Sequence, residues 1–212
     1  MLSYLKKINN YITSSCNIAG NAVVKNGAVV FAHDAATPAD FLLSVYQNFQ
    51  VSYPKFYKMD VLSKLGWLAS EVLLMDSFDK TAYSPAEVGI VLTNANSSLD
   101  SDLRYMKSVA EIASPALFVY TLPNIMIAEI SIRNGFKGEG AFFISEKFDA
   151  AFIESYVNDL FTKHNLKCCI CGWVDVLGDD YKAVLFLVEK EQKENALLFS
   201  KNNMDSIFGG DK

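Results

Sequence analysis

The chain has 212 residues, 51% of them apolar, and its 19 Lys and Arg against 24 Asp and Glu give a net charge of −5. That length suits one domain with a large core, and an acidic balance with no basic tract argues against a surface that neutralises nucleic-acid phosphates. No apolar run approaches the roughly 20 residues of a membrane-spanning helix, and the start, MLSYLKKINNYITSS, lacks the continuous apolar core and cleavage pattern of a secretory leader, so a cytoplasmic protein is expected.

Residues 11–18, YITSSCNI, are predicted as a strand of mixed polarity. Segments 22–24 and 28–32 flank Lys25-Asn26-Gly27, a hairpin signal because Asn-Gly suits positive φ. Pro38-Ala39-Asp40 opens a helix to about Asn48. Asp60 caps a second over 61–75, with Leu62, Leu65, Ala69, Val72 and Leu73 as its apolar stripe. Residues 88–93 are continuously apolar, as in a strand covered on both faces. A moderately polar helix over 100–112 follows, then 122–132, apolar almost all round and expected to be buried. Gly135 and Gly138 bracket a turn, 141–144 is a short strand, and 146–164 is an amphipathic helix with Phe148, Phe152, Tyr156 and Leu160 as its seam. Strands 168–174 and 181–189 are joined by Gly178-Asp179-Asp180. That joint is far shorter than the dozen or so residues of a parallel crossover, so the pair is antiparallel. From Lys190 the chain is charged, briefly apolar at 196–199, then rich in Asn, Gly and Asp. Periodicity alone gives a mixed α/β sheet.

The stretch 114–151, SPALFVYTLPNIMIAEISIRNGFKGEGAFFISEKFDAA, resembles the segment of β-ketoacyl-acyl-carrier-protein synthases that leads into the nucleophile. It has a Pro-x-x-Phe strand, an Asn-led helix, a Gly-x-x-Gly turn, a short apolar strand and an elbow. Segment 11–18 is similar to the family's first strand without its Ser-Pro, and 57–74 to the Arg-Met-x-Arg-x-x-Lys helix, with Lys64 and Ala69 in register. Segment 87–99 resembles the second strand and its Gly-Thr-x-x-Gly loop, with Asn94 and Ser97 or Ser98 at the glycines. Segment 167–177 resembles the strand ending in Gly-Gly-x-Asp. The flavour is that of the ketosynthase-like proteins of flexirubin, dialkylresorcinol and aryl-polyene pathways. The resemblance implies the N-terminal half of a thiolase-like fold over 1–190, followed by a tail over 191–212. That half is an α/β domain whose five-stranded mixed sheet, ordered 3-2-1-4-5 with the last strand antiparallel, is covered by helices.

The elbow reads Ser145-Glu146-Lys147-Phe148-Asp149, with Lys147 at the position of the family's catalytic cysteine. An acyl thioester needs a thiolate, so Lys147 marks a vestigial nucleophile position and no catalytic residue is assigned. The family's second half supplies two histidines, but His33 and His164 are the only ones here and neither sits in a matching setting. Other chemistry weighed from the residues comprises an amine nucleophile at Lys147, a Ser145 nucleophile and phosphate binding at Gly135-x-x-Gly138. It also includes a cation at Asp175, Asp179 and Asp180, zinc at Cys168, Cys169 and Cys171, and an acyl tunnel lined by Tyr53, Phe56, Tyr57 and Trp67. Each has a plainer reading as solvated turn or core, and no cofactor or metal is expected.

The resemblance also places Ala141, Phe142, Phe143 and Ile144 at a sheet edge, where the family pairs the strand with its copy across a two-fold axis. With Asn124 near the subunit contact, these form the predicted dimer edge. The implied function is a non-catalytic ketosynthase-like subunit in acyl-chain biosynthesis, in the manner of a chain-length factor. Its partner would be a second copy or a catalytic ketosynthase, with an acyl carrier protein as a further candidate. The alternatives are an acyl-thioester enzyme of altered chemistry in the same pocket, or a purely structural half-fold.

Overall fold

The computed structural model describes residues 9–210; residues 1–8, part of the segment read for a leader, and residues 211–212 of the tail lie outside it. Eight strands form one mixed sheet: β1 Tyr11–Ala19, β2 Ala22–Lys25, β3 Ala28–Ala32, β4 Val88–Asn94, β5 Gly140–Ile144, β6 Cys168–Leu177, β7 Asp180–Glu189 and β8 Leu197–Leu198. Seven helices accompany them: α1 Pro38–Asn48, α2 Val61–Leu74, α3 Leu99–Val109, α4 Pro115–Val119, α5 Ile125–Asn134, α6 Ala150–Lys163 and α7 Lys201–Gly209. The strand order is β3-β2-β1-β7-β6-β4-β5, with β8 beside the start of β1.

The five expected strands are β1, β4, β5, β6 and β7, and they lie in the order 3-2-4-5-1 rather than 3-2-1-4-5. The last is antiparallel to both neighbours, as expected, while β4, β5 and β6 are parallel. The difference has a physical cause. Strands β6 and β7 form a hairpin, so β7 must lie beside β6. Residues 183–189 of β7 are buried without a break, which demands cover on both faces and hence a central place. Strand β1 carries Thr13, Ser14, Ser15 and Asn17 and suits the position beyond it. The hairpin β2–β3 and the short β8 then extend the sheet past five strands.

Strand alternation divides the core between the two faces. Cys168, Ile170, Ala183, Leu185 and Leu187 pack with Phe41, Leu42, Leu65, Trp67, Leu68 and Met126 from α1, α2 and α5. Cys169, Cys171, Val184, Phe186 and Val188 pack with Ile153, Val157, Leu160 and Phe161 of α6. All four cysteines are buried free thiols. Burial pushes Cys16 up to about 12 and raises Cys168 and Cys169 well above the usual thiol range, so these thiols serve as small core side chains.

The expected tail is part of this core. Phe199 and Met204 are buried against α6 and the sheet, Phe199 N–H bonds the Asn10 carbonyl at 2.8 Å, and the Ser200 hydroxyl caps α7. Segment 122–132 also departs from expectation. The helix begins at Ile125, Met126, Ile127 and Ile130 are buried, and Leu122 and Ile132 are 57% and 60% exposed. The Pro-x-x-Phe segment is helix α4, not a strand, because the Ser114 hydroxyl caps it and Pro115 stands at its first turn.

One surface pair ties the start of β4 to the start of β6. Glu87 accepts from Lys167 Nζ at 2.5 Å and from Ser84 N–H at 2.9 Å. The lysine contact first, and the Ser84 N–H second, hold the Glu87 carboxyl down to about 2 from an ordinary 4.5. A depressed folded pKa gives stability that is fully present above about 4.5 and lost as pH falls toward 2. Glu87→Gln is therefore expected to lower stability at pH 6, with the gap to wild type closing between pH 4.5 and 2 in urea melts. A gap that is the same at pH 6 and pH 2.5 would contradict the assignment.

Candidate functional site

The elbow lies between β5 and α6. It is held at one side by Ser145 N–H on the Asn94 carbonyl at 2.9 Å. Ser145 Oγ closes a tight turn by donating to the Lys147 carbonyl at 2.8 Å. Asp149 starts α6, its carboxylate accepting from Phe152 N–H at 3.0 Å. Among the described residues no carboxylate lies within ion-pair distance of Lys147, which is exposed.

Neither histidine stands near this lysine. His164 sits at the far end of α6, about 20 Å away at helical rise. His33 follows β3 at the opposite edge of the sheet, six strand spacings and so roughly 29 Å across. Ser145, whose hydroxyl is spent on the turn, gains no base from either.

The loop after β4 is held by side chains in place of glycines. Asn94 Oδ1 accepts from Ser97 N–H at 2.9 Å and its Nδ2 donates to the Ser97 carbonyl at 2.8 Å. Asp175 accepts from Asn96 N–H at 3.0 Å and Asn96 Nδ2 at 2.7 Å, so this carboxylate anchors the loop. Asp179 and Asp180 are exposed on the β6–β7 turn, and among the described residues no group of His, Cys, Asp or Glu could hold a metal ion.

Gly135 is the left-handed C-cap of α5. The N–H groups of Lys137 and Gly138 are spent on the carbonyls of Pro85 and Val88, so this turn offers them to no phosphate. Tyr53, Phe56 and Trp67 belong to the core, with Tyr53 and Trp67 stacked at 5.0 Å, whereas Tyr57 is exposed. An open cleft of about 580 Å³ runs along α6 past Phe152, Tyr156 and Asp159.

Among the described residues strand β5 ends the sheet, hydrogen-bonded to β4 alone. Ala141, Phe142 and Phe143 are half-buried, and Ile144 is 54% exposed. Asn124 is exposed at the start of α5 and makes no capping bond through its side chain. Further exposed apolar groups are Leu99, Leu103, Met106 and Val109 along α3, then Ile112, Phe118 and Leu122.

The sequence pointed to the elbow but not to what packs on it. Phe148 stacks on Phe208 of α7, with Trp173 and Lys182 beside the same ring. These residues are up to 60 positions apart in sequence, and the segment holding Phe208 is too polar for its pattern to announce a packed helix.

No family model and no curated protein matches the chain in sequence. Solved structures do match it. The ishigamide ketosynthase/chain length factor superposes with a TM-score of 0.62 at 16% identity, over 88% of this chain and 63% of that one. The chain has a ketosynthase-like fold of the thiolase type. A β-ketoacyl synthase from Burkholderia phymatum STM815 aligns with a TM-score of 0.58 at 11% identity, covering 86% of this chain and 59% of its own. The ketosynthase ApeO in complex with its chain length factor ApeC, from Xenorhabdus doucetiae, gives 0.53 at 12% identity, covering 88% and 80%. The chain thus spans less than two thirds of the length of the first of these.

Proposed function

We propose that this chain is a non-catalytic ketosynthase-like subunit of fatty-acid or polyketide-type acyl-chain biosynthesis, working in the cytoplasm. It would pair through β5 with a catalytic ketosynthase or with a second copy of itself. The observation that carries this reading is the apolar edge of β5, unpaired on its outer side among the described residues, running into a turn at which Lys147 is exposed to solvent. An uncharged edge without proline invites strand addition unless it is covered. A closed two-fold contact is the commonest way to cover one. The exposed apolar groups of α3, Phe118, Leu122 and Ile132 would widen that contact. Among structures of similar fold are a ketosynthase with its chain length factor and a ketosynthase with its acyl-carrier protein, which supports partners of both kinds.

Two measurements test it. Incubation with radiolabelled acyl-acyl-carrier protein should leave the chain unlabelled, since a lysine exposed to solvent, with nothing to activate it, is a poor nucleophile. Stable acylation at Lys147 would overturn the reading in favour of an enzyme of altered chemistry. Lys147→Ala should change stability by less than about 0.5 kcal/mol, as exposed substitutions do, and Lys147→Cys should not yield condensation of acyl and malonyl thioesters. Condensation by that variant would show that the half-fold assumption is wrong.

A further inference from the structure

Strand β5 pairs with β4 over five consecutive residues without a register shift. Ile90 N–H bonds the Glu139 carbonyl at 2.8 Å, and Ser145 N–H bonds the Asn94 carbonyl at 2.9 Å. In a parallel ladder the N–H and C=O of alternate residues turn to the same neighbour. Ala141 and Phe143 therefore spend their backbone groups on β4, and Gly140, Phe142 and Ile144 turn theirs outward. The other end of the sheet is built differently. In β3 the register slips between the pairs Val23–Phe31 and Val24–Val29, which leaves Val30 as a bulge, and a bulge blunts an edge against strand addition.

Only residues with outward backbone groups can form hydrogen-bonded pairs across a two-fold axis. Of the registers this allows, one pairs the whole of Gly140–Ile144: Phe142 opposite itself, Gly140 opposite Ile144 and Ala141 opposite Phe143. In that register a small residue meets a large one on both faces. Gly140 has no side chain and lies over Ile127, which a Cβ there would approach to 3.3 Å. The partner's Ile144, 54% exposed in the single chain, fills that place. On the other face Phe143, 4.9 Å from Phe152 and from Tyr156 of its own chain, meets the small Ala141 of the second copy. Past the strand ends, Glu139 falls opposite the partner's Ser145, beside its turn to Lys147. Lys137, Glu139, Glu146 and Lys147 are all exposed, and among the described residues none of them has an ion-pair partner. Each end of the contact thus sets a Lys and a Glu of one copy against a Glu and a Lys of the other.

We propose that β5 takes a second copy of this chain in the register centred on Phe142, and that the partner's Glu139 supplies Lys147 with its carboxylate. The inference rests on pairing through β5 and names the occupant and the register of that contact. Exposed ion pairs at its rim add little affinity, but like charges set against each other there penalise every other register.

The test uses the full chain with single cysteines introduced by Ala141→Cys, Phe142→Cys, Phe143→Cys and Ile144→Cys, under air oxidation. The native thiols are buried and stay out of the reaction. Only Phe142→Cys should form a cross-linked dimer, because its Cα would lie about 5.5 Å from its copy, within the span of a disulfide. Charge reversal gives a second measurement that spares the core and decides the matter if Phe142→Cys does not fold. Glu139→Lys and Lys147→Glu should each weaken self-association about fivefold in sedimentation. Mixing the two variants should restore it, since position 139 of each copy then faces a position 147 of opposite sign. Cross-linking at another of these positions, or mixing that restores nothing, overturns the proposal and leaves pairing through β5 standing. So does a chain that is monomeric alone yet captured by a ketosynthase. A chain that is monomeric in both settings ends the pairing reading as well.

Discussion

Ile144→Lys is expected to leave the chain monomeric at concentrations where the wild type sediments as a dimer, or to abolish its capture by a ketosynthase-type partner. Ile144 ends the edge strand β5 and is 54% exposed, so a lysine there costs the isolated chain little. Across a two-fold contact the substitution would appear twice, placing two ammonium groups in an apolar interface. Burying polar groups without partners costs at least 1–3 kcal/mol each by mutational estimates, so about 3 kcal/mol in all weakens association roughly 100-fold. Phe142→Lys should behave differently. Phe142 is half-buried against the α1, α2 and α5 face of the sheet, and its replacement should lower folding stability and give aggregate as well as monomer. Analytical ultracentrifugation separates these outcomes. A wild type that sediments as a stable monomer, both alone and mixed with candidate ketosynthases, would end the pairing proposal.

Gly172→Ala is expected to be among the most damaging single-methyl additions in the chain. Gly172 lies in the middle of β6 with φ +145°, between β4 and β7, paired with Leu92 and Leu185. A Cβ built there would stand 2.1 Å from the Val184 carbonyl oxygen and 3.1 Å from the Leu185 Cα. Both are backbone atoms of the central strand, so no side chain can swing aside. An unfavourable φ costs about 1–3 kcal/mol, and overpacking a core adds about 1–3 more. A loss of about 4 kcal/mol is a large part of a typical folding free energy of 5–15. It should lower the melting temperature by about 10 °C. A drop below about 2 °C would show that β6 and β7 part more easily than their hydrogen bonding implies. Gly66→Ala makes the contrast, since the atoms its Cβ meets belong to the flexible Met126 side chain.

The sequence was most legible where one local rule acted alone. The Asn26-Gly27 turn gave the β2–β3 hairpin, with both residues at positive φ. Asp60 gave the cap of α2, and its carboxylate accepts from Ser63 N–H at 2.9 Å. It also bonds the hydroxyl of Ser101 on α3, which no spacing rule foretold. The alternation of Cys168 against Cys169 and Cys171 across the sheet followed from the two-residue strand period. Segment 122–132 misled because an all-apolar run states that something will cover it without saying what. In the chain by itself, Leu122 and Ile132 remain uncovered.

The sequence by itself determined the types of the longest elements, the antiparallel β6–β7 hairpin and the presence of Lys147 in the turn between β5 and α6. Each depends on turn chemistry, hydrophobic period or residue identity within a few positions. Only the tertiary structure decided that β7 lies between β6 and β1, that residues 197–209 close over the α6 face, and that Phe148, Trp173, Lys182 and Phe208 meet beside the elbow. Those outcomes depend on which apolar surfaces compete for the centre of the sheet and on which distant segment best fills the remaining space. That competition among burial energies belongs to the whole chain, and no window of sequence contains it.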